Sequence, residues 1–333
     1  MTTESNIAGK RNVSLDILKI FTMLLIINSH SDILYPAQIR FLASGGAIGN
    51  ELFFLISGYL FSAKDDIGRD IWKRFIKLYI PAYIMIMMTL LCGKIHVDSI
   101  EVFVKEFIWP THFWFVGAIF VYSVILYALK KKAKIDNKKS FVCFGLIVVL
   151  IDLLLYIFCI PDKSFWIVED AYISIIPFRS IYSIFAFVLG YYLKRNWKRI
   201  RSRLSHGTVV TMAVVFFVLF YGFKLLLNRG IVPMPMQILS QPLTIMSALF
   251  IFMAFAMTDL NQKLDGKRAE HMINTLSGFS LESYLVQFLI IAGIAALNIV
   301  FPVNMVVCVV CVMFAAGILH VIDVKVIRAI LRE

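Results

Sequence analysis

Lys19 and His30 stand eleven residues apart in a stretch that otherwise reads Ile-Phe-Thr-Met-Leu-Leu-Ile-Ile-Asn-Ser. On an α-helix each residue turns about 100°, so eleven steps return to within roughly 20° of the start. The two side chains therefore share a face, about 16 Å apart along the axis at about 1.5 Å per residue. Ionisable groups in hydrocarbon are costly unless they point into the protein, which makes this pair a functional candidate. Asp16 precedes Lys19 by three residues, one turn away on the same helix. His30 is followed by Ser31 and Asp32. As a neutral imidazole it can take a proton from a hydroxyl and turn that oxygen into a nucleophile. The bland alternative has Lys19 reaching for lipid headgroups, Asp16 paired with it, and His30 simply packed.

Further along, Gly49-Asn50-Glu51-Leu52-Phe53-Phe54-Leu55-Ile56-Ser57-Gly58-Tyr59 sets a carboxylate at the opening of an apolar helix. Glu51 is either a helix-start carboxylate or the group that orients His30 and raises its basicity. In Trp72-Lys73-Arg74-Phe75-Ile76-Lys77-Leu78-Tyr79-Ile80-Pro81 two cations sit at i, i+3. Arg74 and Lys77 are either the ordinary basic flank of a span or a clamp for phosphate groups. His112-Phe113-Trp114-Phe115 opens another apolar run, where Trp114 also suits an interfacial belt. Arg179 just inside a span and Glu282 before Ser283-Tyr284 are further candidates for substrate contact. Asp152, midway through a span, needs a partner inside the bundle, whereas Lys224 is close enough to an end to snorkel. Cys308 and Cys311 have CxxC spacing without a second pair or a His pair, so helix packing is the expected role and no metal is expected.

The elements that must position these residues follow from composition. The 333 residues are 60% hydrophobic and 16% charged, with a mean hydropathy of +0.83. An apolar run of about 20 residues spans a bilayer as a helix. Ten such runs are expected, at roughly 15–35, 46–63, 78–93, 113–129, 141–160, 174–193, 208–227, 236–257, 275–298 and 300–321. The expected class is thus all-α, a polytopic membrane protein of about ten transmembrane helices with both termini cytoplasmic. Lys and Arg test that orientation. Lys10, Arg11, Lys64, Arg69, Lys73, Arg74, Lys77, the cluster Lys130 to Lys139, the run Lys194 to Arg203, Lys263, Lys267, Arg268, Lys325, Arg328 and Arg332 all fall on one predicted side. Arg40, Lys94, Lys105, Lys163 and Arg229 are the cations on the other. The net charge of +12 is then mostly topological, facing anionic membrane lipids rather than nucleic acid. One integral domain over 1–333 is expected, with cytoplasmic tails at 1–13 and 322–333 and the longest loops at about 94–112 and 258–274. Met1–Asn12 lacks a signal-cleavage pattern, so the first span is expected to stay as an anchor.

Leu15-Asp16-Ile17-Leu18-Lys19 with His30, the Glu-Leu-Phe-Phe-Leu-Ile-Ser-Gly-Tyr block, Arg-Phe-Ile-Lys before a Pro, His-Phe-Trp-Phe and Ser283-Tyr284-Leu285, in this order, resemble the bacterial acyltransferase-3 family. The resemblance runs over nearly the whole chain. Its most specific parts are the Phe-Phe-x-x-Ser-Gly block and the basic-x10-His pair. Lys19, Glu51 and Lys77 stand where the family commonly has Arg, Asp and Arg, which preserves charge. Gln287 stands where many members carry His.

Members of that family are membrane proteins that acylate carbohydrates. The resemblance implies acyl-CoA, most commonly acetyl-CoA, as donor and a lipid-linked or exported glycan as acceptor, such as O-antigen, capsule or exopolysaccharide, at a bacterial plasma (inner) membrane. In this reading His30, Glu51 and Asp16 carry the chemistry. Lys19, Arg74 and Lys77 hold the cofactor phosphates, and His112, Trp114, Arg179, Glu282 and Tyr284 meet the acceptor. Direct attack by the sugar hydroxyl and a covalent acyl-His intermediate both remain open. The alternative from another class is a proton-coupled transporter, or an exporter of acyl groups or glycans without transferase chemistry. The sequence sets no oligomeric state.

Overall fold

The computed structural model describes residues 12–331 except 64–65, 95, 165, 169–170, 175, 259, 261–263, 265 and 267. Lys10, Arg11, Lys64, Lys263, Lys267 and Arg332 lie outside the described residues. The long helices are α1 (Val13–His30), α2 (Gly46–Leu60), α3 (Ile67–Leu91), α4 (Trp114–Ala128), α5 (Lys138–Phe158) and α6 (Arg179–Arg201). They continue as α7 (His206–Asn228), α8 (Ser240–Met257), α9 (Arg268–Gly278), α10 (Ser280–Ala296) and α11 (Val303–Leu331). The one sheet among the described residues is a two-stranded antiparallel hairpin, β1 (Tyr172–Ile173) with β2 (Ile176–Pro177). The protein is an all-α polytopic membrane protein. Eight helical segments are long and apolar enough to cross a bilayer, and nine if the bent pair α9–α10 is a single span.

Four expected spans differ from the structure. The span placed at 78–93 begins at Ile67, because Asp66 caps the helix by accepting the Arg69 N–H at 3.0 Å. Arg74 and Lys77 therefore sit on a rigid helix, one turn apart, rather than in a flanking loop. The span placed at 275–298 is broken: α9 and α10 meet at 63°, with Phe279 between them outside helical geometry. The last helix runs on to Leu331, so most of the segment expected as a tail at 322–333 is helical. The stretch expected at 174–193 is α6, which starts after the hairpin. It is not among the apolar spans, since its last turns hold Lys194, Arg195, Lys198, Arg199 and Arg201.

The interior is built on close approach of α1, α2 and α6. A Cβ on Gly58 would collide with the Phe187 carbonyl, and one on Gly190 with the Leu55 carbonyl, so the two helices notch into each other reciprocally. Gly46 and Gly49 do the same against Ser29 and Ile26 of α1. Around this centre lie fully buried Phe54, Leu55, Ile56 and Phe187. Such contact sets α1 and α2 side by side in opposite directions, while Ser183 on Glu51 at one end and Lys194 on the Phe61 carbonyl at the other set α2 and α6 in the same direction. The Lys19 end of α1 thereby shares one end of the bundle with Leu60 and with the basic turns of α6. That end is called the basic end below.

Candidate active site

At the basic end a cleft of about 410 Å³ opens between α1, α2, α3, α4 and α10. Lys19, Arg74 and Lys77 all line it, so the three cations singled out in the sequence converge although they come from two helices. Lys19 Nζ lies 3.0 Å from Asp16 Oδ1, and Asp16 is 1% exposed. Asp16 thus belongs to the basic end with Lys19, far from His30. Arg74 is fixed in three ways. Its Nε donates to Asp70 Oδ2 at 2.8 Å, an Nη donates to the Ser62 carbonyl at 3.1 Å, and its Cζ lies 4.3 Å from the Phe61 ring centroid. Asp70 in turn accepts the Tyr127 hydroxyl. Lys77 is exposed and makes no ion pair among the described residues. The cleft narrows inward between Phe53, Phe115, Phe187 and Tyr284.

Tyr284 stands at the end of that cleft and in a partition of rings. Its centroid is 5.4 Å from Phe115, 6.3 Å from Phe288 and 6.4 Å from Phe113. His30 lies beyond, packed edge-on against Phe288 at 4.8 Å. The imidazole therefore turns into the bundle rather than to lipid, but the cleft does not reach it. A crevice between Met23, Ile27, Phe53, Tyr284 and Gln287 prolongs the cleft toward His30 and is too narrow for water in this conformation. Gln287 is fully buried in that crevice, its amide donating to the Tyr284 carbonyl at 3.2 Å.

Around His30 gathers a second group of polar side chains. Arg179 and Asp32 are the charges whose fields act on the imidazole. Arg179 opens α6, with its Cζ 4.3 Å from the Trp114 ring centroid and its Nε buried without a hydrogen-bond partner among the described residues. Its field also reaches Tyr122 and Tyr284. Glu51 is 1% exposed and accepts the hydroxyl of fully buried Ser183, one turn after Arg179. The Glu51 carboxylate also acts on Tyr122, whose hydroxyl donates to the Ser180 carbonyl. The structure so brings His30, Arg179, Trp114, Tyr284 and Glu51 to one region. Ser183 is one partner of Glu51 there.

Two candidates fall elsewhere. His112 Nδ1 pairs with Glu106 at 2.9 Å; the imidazole is 59% exposed while the carboxylate is 5% exposed. That hydrogen bond holds the His112 pKa above its ordinary value against the opposing desolvation. Glu282 faces α11, where its carboxylate lies 2.6 Å from His320 Nδ1, and it does not line the cleft. Of the weaker candidates, Asp152 has Gln241 as its neighbour at 3.5 Å, and Lys224 lies over the Trp166 ring at 4.8 Å. Ser183, Tyr122 and Ser180 went unmarked in the sequence. Ser183 and Glu51 are 132 positions apart, and a serine in an apolar helix gives no signal of so distant a partner.

Compared with known proteins, residues 12–322 match the family model described as an acyltransferase domain, that of acyltransferase-3. No curated protein and no solved structure matches the chain.

Proposed function

Because the chain belongs to the acyltransferase-3 family and is thus an acyltransferase acting on a hydroxyl, we propose that it moves an acyl group from acyl-CoA to a sugar hydroxyl of a cell-envelope glycan. One observation carries the donor assignment. Lys19, Arg74 and Lys77 converge on a single cleft at the basic end, and its inner wall is aromatic and apolar. Phosphates of a coenzyme suit the cationic mouth, with Arg74 pre-set by Asp70 for directional hydrogen bonds. A thin pantetheine arm suits the apolar throat. The span from Lys19 to His30 is about 16 Å along α1. Acetyl is the simplest acyl group for so narrow a throat.

The chemistry follows from the second region. With the Tyr284–Phe288 partition open, the thioester carbonyl reaches the side of His30. The imidazole takes the proton of the acceptor hydroxyl, and the oxygen attacks the carbonyl carbon. Arg179, held over Trp114 with an Nε–H that meets no acceptor among the described residues, stabilises the negative charge that develops on the carbonyl oxygen. The carbon–sulfur bond breaks, the imidazolium returns its proton to the thiolate, and the products are the acylated glycan and the free coenzyme thiol. Glu51 and Ser183 position the α2–α6 face that carries Arg179. The acceptor arrives at the end of the bundle opposite the cations, which in the positive-inside orientation is the outer face of a bacterial plasma membrane. A sugar carrier would leave the cationic cleft without a task.

The test is acyl transfer by the protein in lipid nanodiscs, with isotope-labelled acetyl-CoA and the envelope glycan of the cell of origin, read by mass spectrometry. One labelled acetyl group per glycan repeat is expected with the wild type and none with His30→Ala. Transfer by His30→Ala at the wild-type rate overturns the assignment of His30, and an unlabelled glycan overturns the function.

A further inference from the structure

A separate pocket of about 260 Å³ lies just past the His30 end of α1, between the turn Asp32–Leu34 and the connection from α10 to α11. Its walls include Leu34, Tyr35, Asn298, Phe301 and Asn304, and none of its lining residues is charged. Asn304 is 5% exposed, so it is well over nine-tenths buried. Its Nδ2 donates to the Leu34 carbonyl at 2.7 Å, while its Oδ1 has no hydrogen-bond partner among the described residues. That amide is oriented: a flip would set Oδ1 against the Leu34 carbonyl, acceptor against acceptor. A buried acceptor left unmet costs free energy, and a ligand donor removes that cost. Tyr35 and Phe301 lie beside it with ring centroids 5.1 Å apart and planes tilted by 42°, and the Tyr35 hydroxyl donates to Asn28 Oδ1 at 2.6 Å. Asn298, exposed and in left-handed backbone geometry at φ +52°, presents a second amide at the rim.

We propose that this pocket holds one neutral sugar ring of the acceptor glycan, adjoining the ring whose hydroxyl His30 activates; this rests on the glycan-acylation reading above. Aromatic faces take the C–H side of a pyranose, and fixed amides take its hydroxyls. A phosphate or a carboxylate would meet no cation here. A hydrocarbon chain would leave Asn304 Oδ1 unmet. Leu34 is four residues from His30, which bounds the separation at about 14 Å for extended chain. Adjoining rings of one glycan therefore span from the pocket to the imidazole. The site thereby selects for an oligosaccharide over a free monosaccharide.

The experiment places a reporter in the pocket, Tyr35→Trp, in the full chain in nanodiscs without any acyl donor. Neutral tetrasaccharides of glucose, galactose, mannose and N-acetylglucosamine are titrated, and the added tryptophan emission is read against the wild type. At least one is expected to change the emission saturably. In the same background Asn304→Leu weakens that binding about tenfold, the loss of one buried hydrogen bond. Asn298→Gly, which keeps the left-handed backbone without strain and touches no buried bond, weakens it by a smaller factor and guards against a folding artefact. Emission unmoved by all four sugars, or both variants binding as the reporter alone does, overturns the subsite. Transfer to a glycan together with silent emission defeats the subsite and leaves the acylation reading intact. Sugar binding without any transfer defeats the acylation reading and leaves the subsite.

Discussion

Replacing Lys77 by Gln isolates the donor clamp most cleanly. Lys77 lines the cleft, is exposed and holds no ion pair among the described residues, so its loss leaves no buried partner behind. Arg74→Met, by contrast, would break the buried Asp70 ion pair. A unit charge about 4 Å from a phosphate is worth about 1 kcal/mol in bulk water and about 4 kcal/mol at an effective dielectric near 20. Lys77 stands at the wet mouth, so the lower part of that interval applies, about 1–2 kcal/mol. This corresponds to a rise of about 5- to 30-fold in KM for acetyl-CoA. The maximal rate should hold, because the cation touches no reacting bond. The assay is initial-rate kinetics with acetyl-CoA and, in parallel, with S-acetylpantetheine, which lacks the nucleotide phosphates. The substitution should raise KM for the first and leave the second alone, and added salt should shrink the difference. An equal loss with both donors, or none with acetyl-CoA, would refute the phosphate role.

Arg179→Met should lower kcat by about 10²- to 10³-fold, the usual cost of one oxyanion donor, with little change in KM for acetyl-CoA; an effect confined to KM would assign it to binding instead. Gly58→Ala and Gly190→Ala each drive a methyl into a facing backbone carbonyl and should cost about 1–3 kcal/mol or more. Gly222→Ala meets nothing within 4 Å and should be neutral or slightly stabilising; thermal unfolding in one detergent compares the three, and equal midpoints would sink the packing account. His112 has a raised pKa through Glu106, so its charged pair supports the 96–112 segment below the unfolded value and that support fades as pH climbs through the folded one. Protease nicking of that segment should rise over that window in the wild type and lose its pH dependence in Glu106→Gln, whereas a flat wild-type profile would contradict the pairing.

Residues that act within one helix were legible in the sequence, because helical spacing fixes who shares a face. Asp16 with Lys19 and Arg74 with Lys77 are of this kind, and so is the inward turn of His30. The class followed from apolar runs, since a bilayer tolerates few other arrangements, but ten spans were expected where eight segments, or nine with the bent pair, are long and apolar enough. The start of α3 was missed because Asp66, a capping residue, sits inside what reads as a charged loop. The break at Phe279 was missed because the expected span began only at 275, in the last turns of α9, and a bend leaves no mark in hydropathy. The Ser183–Glu51 bond and the ring partition depend on packing between distant segments, and no local pattern announces them. Glu282 was drawn toward the site by its neighbours Ser283 and Tyr284, yet one residue along a helix turns a side chain by about 100°. That turn carries it to His320 instead.

The partition of Phe113, Phe115, Tyr284 and Phe288 has a bearing on the cell's energy economy as well as on the reaction. Under the proposed function, donor and acceptor arrive at opposite sides of the membrane, and an open passage between them would short-circuit the electrical potential across it. Rings packed edge-on and tilted against one another exclude the water wires along which protons and small ions would run. Between turnovers the catalyst is then an insulator, and a substitution such as Phe288→Ala would betray itself first as a leak, before any change in the product.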